Sequence, residues 1–227
     1  MTRPNAMLFD WDNTLVDSWD CILAAYNGTF RHFGMREWDM AEAKGKVAKS
    51  LKDSFPEMFG ERWTEARDVF TSTFESIHLD YLRPLPGIEE MLRHLHGQGI
   101  YLAVVSNKRG EFLRKEARIL GWDVWFGALV GANDAEADKP ALAPVRMALA
   151  PMPQPPTIQA ERASVWFVGD SPIDMHCAIN AGCVPALMRA EPPQPGEFDA
   201  HPPAYYFPRP EILLGKLHEL SVPNAAI

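Results

Sequence analysis

Asp10 and Asp12 stand two residues apart at the end of the apolar run Ala6–Met7–Leu8–Phe9, and Thr14 follows two residues on. Side chains of an extended chain alternate faces, so the two carboxyls start on one side, ~7 Å apart along the chain. Acids crowded at the end of a buried strand are costly unless a metal or a reaction needs them. The plainer reading is an acidic loop that caps the next helix. Three further places carry polar groups of matching kind. Ser106–Asn107–Lys108 follows Ala103–Val104–Val105, Lys139–Pro140 follows the acidic loop 133–138, and Gly169–Asp170–Ser171 follows Val165–Trp166–Phe167–Val168, with Asp174 further on. Each has an ordinary reading too: a turn at Ser106–Asn107, a solvated Lys139, and helix-capping acids at 170 and 174 favoured by the dipole. Their recurrence at successive strand ends points to one site, because parallel α/β sheets place their chemistry just beyond the carboxyl ends of the strands.

The elements that must hold these groups are legible from periodicity. Trp19, Ile22, Leu23, Tyr26, Phe30 and Phe33 recur at helical spacing between Ser18, a suitable N-cap, and Gly34, a suitable stop. A polar helical stretch over 38–54 is interrupted at Gly45, and a third helix over 62–81 carries Ala66, Phe70, Phe74, Ile77 and Tyr81. Residues 17–85 therefore read as an all-helical insert, with the aromatic stripes as its core, in an α/β domain made of 1–16 and 86–227. After Pro86–Gly87 the chain alternates: helix from 88, strand 100–105, helix 111–120, strand 125–130, helix 141–150, strand 164–168, helix 172–181 and strand 184–188. That alternation predicts a Rossmann-like parallel sheet covered by helices on both faces. The proline-rich segments 151–156 and 192–203 read as loops; 205–207 and 211–220 add an edge strand and a closing helix.

Composition narrows the function classes. The chain has 227 residues, 47% of them hydrophobic, and a formal net charge of −8. An acidic balance argues against the basic footprint of a nucleic-acid binder, while an anionic substrate stays compatible because local charge governs binding. The three cysteines, Cys21, Cys177 and Cys183, show no zinc or disulfide spacing. With no signal-like apolar leader and no run of membrane-span length, a soluble cytoplasmic protein is expected, as a monomer or homodimer.

Taken together, Asp10–Trp11–Asp12–Asn13–Thr14, Ser106–Asn107, Lys139 and Gly169–Asp170–Ser171–Pro172–Ile173–Asp174 resemble the four motifs of the haloacid dehalogenase superfamily, in its phosphoglycolate-phosphatase-like branch. Trp11 and Asn13 depart from it, standing where Phe or Leu, and Gly, are commoner. The resemblance implies a phosphatase that works through an aspartyl-phosphate. Asp10 would be the nucleophile and Asp12 the acid and then base. Lys139 would steady the nucleophile, and Ser106, the Asn107 backbone and Thr14 would serve the phosphate. Mg²⁺ would be held by Asp10, the Asp12 carbonyl and Asp170, with Asp174 in or just behind that shell. The charge count agrees: with Asp12 protonated, three carboxylates face Lys139 and a dication, and the site is neutral before substrate arrives.

By the same resemblance the helical insert is a cap that closes over the pocket, and a small phosphorylated metabolite, phosphoglycolate foremost, is the expected substrate. Lys46 and Lys49 of the insert, with Lys108 and Arg109 after the second motif, are candidates to meet an anionic leaving group; a solvated basic face is the competing reading for the first two. Dehalogenases of the superfamily lack the second acid, which Asp12 supplies here. A sugar-phosphate mutase needs the same acids and is the nearest alternative. A phospho-receiver domain also sets acids, a hydroxyl and a lysine at strand ends, but with its paired acids adjacent. A silent binding protein of the same fold is the third.

Overall fold

The computed structural model describes residues 3–47, 51–155 and 164–221. The chain forms two compact units, Met1–Val16 with Pro84–Ile227, and Asp17–Arg83.

The first unit is built on a six-stranded parallel sheet. Its strands are β1 (Ala6–Phe9), β4 (Tyr101–Arg109), β5 (Ala128–Ala132), β6 (Val165–Gly169), β7 (Val184–Met188) and β8 (Tyr205–Phe207), in the order β5-β4-β1-β6-β7-β8. Two-residue strands β2 (Val16–Asp17) and β3 (Arg83–Pro84) pair with each other. β1 is buried along its whole length and has a parallel neighbour on each side, which explains its unbroken apolar sequence. The helices of this unit are α5 (Ile88–Gly97), α6 (Gly110–Ile119), α7 (Leu142–Leu149), α8 (Pro172–Ala181) and α9 (Pro210–Ser221). On one face of the sheet Leu8, Val105 and Phe167 pack with Val145 and Leu149 of α7 and with Cys177 and Ala181 of α8.

The second unit holds α1 (Trp19–His32), α2 (Met40–Lys46), α3 (Leu51–Phe59) and α4 (Trp63–Ile77). Its core holds the stripes read from the sequence, with Tyr26 meeting the Phe70 ring edge-on at 5.0 Å, and adds Phe55, 5.7 Å from Phe70.

Three local expectations shift. The helix expected over 38–54 runs unbroken through Gly45 and ends at Lys46; α3 begins at Leu51. β5 starts three residues later than the expected 125–130, because Trp125 is held in a turn by its N–H to the Trp122 carbonyl (3.0 Å). β4 runs on to Arg109, past the expected end at 105, with a register shift against β5 between Val105 and Arg109. Such irregularities re-aim side chains, and this one coincides with Ser106–Lys108.

Candidate active site

β1 delivers Asp10 between its two neighbours. Phe9 is in register with Val104 and Val168, and the Asp10 N–H donates to the Val168 carbonyl at 2.9 Å. The chain then turns tightly: the Leu15 and Val16 N–H groups both donate to the Trp11 carbonyl (2.9 and 3.2 Å), and the Asn13 N–H donates to the Val16 carbonyl (2.7 Å). Asn13 adopts φ 60°, the left-handed conformation that glycine supplies at no steric cost and that asparagine tolerates better than most residues. Thr14 lies inside this turn, buried, its hydroxyl without a hydrogen-bond partner among the described residues.

Lys139 gathers the acids. Its Nζ donates to Asp10 Oδ1 and to Asp174 Oδ1, both at 2.7 Å, and the ammonium is buried. The lysine is positioned through its main chain: Asn107 Oδ1 accepts from the Lys139 N–H (3.0 Å) and Asn107 Nδ2 donates to the Lys139 carbonyl (3.3 Å). The Asn107 side chain is thus spent on orienting Lys139. Ser106 is buried, and its hydroxyl oxygen accepts from the Lys108 N–H at 3.2 Å.

Asp174 works at both ends. It closes a capping box with Ser171 at the start of α8, where Oδ2 takes the Ser171 hydroxyl (2.6 Å) and N–H (3.1 Å), while Oδ1 takes Lys139. The helix-capping reading of this acid is realised by Oδ2, while Oδ1 of the same fully buried carboxylate takes the ammonium of Lys139. The Asp170 turn is tied from β7's end, where Arg189 Nη1 donates to the Asp170 carbonyl (3.0 Å) and the guanidinium forks onto Glu197 at 2.7 and 2.6 Å.

Electrostatically the pocket is short of positive charge. Burial lifts the Asp10 carboxyl to about 6 against the pull of Lys139, and Asp174 and Asp12 add to the rise. Burial, then Asp174 and Asp10, hold Asp170 well above the usual carboxylate range. Burial opposes the Lys139 charge too, but Asp10 and Asp174 outweigh it and keep the ammonium above the ordinary lysine range. Asp10, Asp170 and Asp174 can each present a carboxylate oxygen within 4.8 Å of the others. An all-oxygen donor set with excess negative charge fits a hard divalent cation.

Of the other sequence candidates, Lys108 reaches Asp12. Expected to face a leaving group, it is buried, its Nζ 2.8 Å from Asp12 Oδ1 and 2.7 Å from Glu116 Oε2. Arg109 is exposed, pairs with Glu111 and lies over the Phe112 ring. In the helical unit Lys46 is exposed, 3.5 Å from Glu42 and 4.9 Å from the Trp38 ring centre, as a solvated face would have it. Lys49 lies outside the described residues. All three cysteines are buried and outside any disulfide. Two side chains escaped the sequence reading. Glu116 had one available signal, an acid on the buried face that Phe112, Leu113 and Ala117 give α6; Arg189 had none.

Comparison with known proteins places this geometry. Residues 7–187 match the family model of haloacid dehalogenase-like hydrolases. The chain is 31% identical over 189 residues to a phosphoglycolate phosphatase of Aquifex aeolicus, covering 80% of this chain and 83% of that protein. It is 28% identical over 184 residues to the pyrophosphatase PpaX of Halalkalibacterium halodurans, covering 81% and 83%. Among solved structures, a haloacid dehalogenase-like family hydrolase from Streptococcus pneumoniae shares the fold with a TM-score of 0.79 at 22% identity, over 93% of this chain and 97% of that one. With Lys139, Asp170 and Asp174 drawn together at Asp10 and the family model matched over most of its length, the chain belongs to the haloacid dehalogenase-like hydrolases.

Proposed function

We propose that this hydrolase is a Mg²⁺-dependent phosphomonoesterase that works through a phosphorylated Asp10. The observation that carries the reading is the Lys139 ammonium bridging Asp10 and Asp174 beside Asp170. A carboxylate attacking a phosphate dianion meets like-charge repulsion, so the site must neutralise charge before it can do chemistry. Lys139 neutralises part and holds Asp10 Oδ1 in place. Asp10, Asp170 and, in or just behind that shell, Asp174 would hold the Mg²⁺, with the Asp12 carbonyl as a further donor. When bound, the ion supplies the remaining positive charge and polarises the phosphoryl oxygens.

In the first half-reaction Asp10 attacks phosphorus and Asp12 protonates the departing oxygen; in the second Asp12 takes a proton from the water that hydrolyses the acyl phosphate. Ser106, the Asn107 main chain and Thr14 serve the phosphoryl oxygens. In this reading the helical unit is a cap that supplies substrate selection. The substrate is a small phosphorylated metabolite; phosphoglycolate is favoured, since relatives about 30% identical from Aquifex aeolicus and Cereibacter sphaeroides are phosphoglycolate phosphatases. Inorganic pyrophosphate is the second candidate, on the likeness to PpaX proteins. Cysteines outside any disulfide fit a cytoplasmic setting.

Phosphate release over a metabolite panel that includes both candidates, with Mg²⁺ and with a chelator, tests the reading. Turnover is expected only with the cation and is abolished by Asp10→Asn; residual turnover in that variant removes Asp10 as nucleophile. An isomerised sugar phosphate in place of free phosphate would point to a mutase.

A further inference from the structure

Trp11, Lys108 and Glu116 form a chain of hydrogen bonds that the proposed reaction does not use. Glu116 belongs to α6, outside all four motifs in the sequence, and is 1% exposed. Its Oε2 accepts from Trp11 Nε1 at 2.6 Å and from Lys108 Nζ at 2.7 Å. The same ammonium donates to Asp12 Oδ1 at 2.8 Å. Trp11 and Asp12 are neighbours, so the turn after β1 is fastened to one buried carboxylate twice: directly by its indole, and through Lys108 by its acid. The Trp11 ring is held in turn, edge-on against Trp122 at 5.9 Å.

A buried ion pair is a poor source of net stability, because desolvating both charges offsets their attraction. What such a pair does supply is direction: a charge-assisted hydrogen bond fixes where its acceptor oxygen sits. The indole N–H matters for the same reason. Phe or Leu at position 11 would be apolar but carry no donor for Glu116, and a carboxylate left short of donors in the core is costly. The departure from the commoner residue at position 11 therefore has a partner, 105 residues away.

We infer that Glu116, anchored by Trp11, holds the Lys108 ammonium against Asp12 and thereby positions the Asp12 carboxyl for proton transfer at the leaving oxygen. Glu116 and Lys108 are positioning residues here, not substrate contacts. The inference rests on the reading of Asp12 as the acid.

The experiment compares kcat/KM for an alkyl phosphate, whose leaving alkoxide needs a proton, with that for p-nitrophenyl phosphate, whose leaving group needs little. Glu116→Gln keeps the shape and an acceptor for Trp11 but removes the charge that holds Lys108. It is expected to lower kcat/KM for the alkyl ester about tenfold or more, within the usual worth of a positioned acid, and to change the aryl ester far less. Trp11→Phe, which removes the indole N–H together with part of the ring, should show the same bias more weakly and serves if Glu116→Gln fails to fold. Equal losses on both esters would overturn the inference, as would a KM rise with kcat unchanged, which would make Lys108 a leaving-group contact. Asp12→Asn is the control: if it shows no leaving-group bias, the assignment of Asp12 as acid has failed rather than its positioning.

Discussion

Lys139 balances two buried carboxylates at the site. Its ammonium is the shared partner of Asp10 and Asp174, and both contacts lie inside the protein, where an unpaired charge is expensive. Lys139→Met keeps the length and apolar stem of the side chain and removes the charge. The two acids then face each other across a gap with no cation, so the variant should lose ~3–5 kcal/mol of stability in cation-free buffer. Urea unfolding measures that loss, and phosphate release should fall to background. Added divalent cation should recover part of the stability but not the turnover, since Asp10 would no longer be held. An unfolding midpoint unchanged from the parent would mean that the acids were already neutral without Lys139.

Among the elements, α8 shows how closely the backbone must approach for the acids to meet. A Cβ built on Gly169 would lie 2.3 Å from the Asp174 Cβ, a separation no relaxed structure holds. Gly169→Ala should therefore push the first turn of α8 off the end of β6, pull Asp174 away from Lys139, and abolish activity with a drop in melting temperature. Gly215, inside α9, has nothing within 4 Å of the same construction, so Gly215→Ala should stabilise by up to ~1 kcal/mol through helix propensity and leave turnover intact. The pair separates a glycine required by packing from one that is merely tolerated. The element scale is also where most of the sequence's message was readable. β1, β6, α1 and α8 follow from apolar runs, helical spacing, Ser171 with Pro172, and Gly182, all local signals. The same local logic put Asp10, Asp12, Lys139 and Asp170 at strand ends. It missed the later start of β5, because the turn at Trp125 depends on a hydrogen bond and not on composition. It missed the Glu116 and Arg189 contacts for a different reason: both depend on pairs that only the fold brings together. It also offered Lys108 to a leaving group, since nothing near a lysine in the sequence reveals two carboxylates waiting on other elements.

On the scale of the whole molecule, the site's charge deficit links cation binding to pH and to folding. Without a cation, Asp10 titrates at about 6 in the folded state, against an ordinary value near 3.8, and Asp170 titrates higher than usual as well. An acid whose proton is held more tightly when folded stabilises the protein in its protonated form. That contribution is complete below the unfolded value and is lost as pH rises through the folded one. The cation-free protein should thus lose stability between about pH 4 and 6 through Asp10, with Asp170 extending the window upward. For Asp10 alone the loss is on the order of 3 kcal/mol. Lys139 does not offset it there, because a raised lysine stays charged in both states throughout that range. A divalent cation competes with protons for the same oxygens, so its stabilisation is weak in acid and grows as the carboxyls ionise. Melting curves with and without Mg²⁺ should show a small increment at pH 5 and a larger one, by several degrees, at pH 7.5. Asp170→Asn should shrink the increment at pH 7.5. An increment independent of pH, or greatest in acid, would mean that the cation binds somewhere other than among these carboxylates.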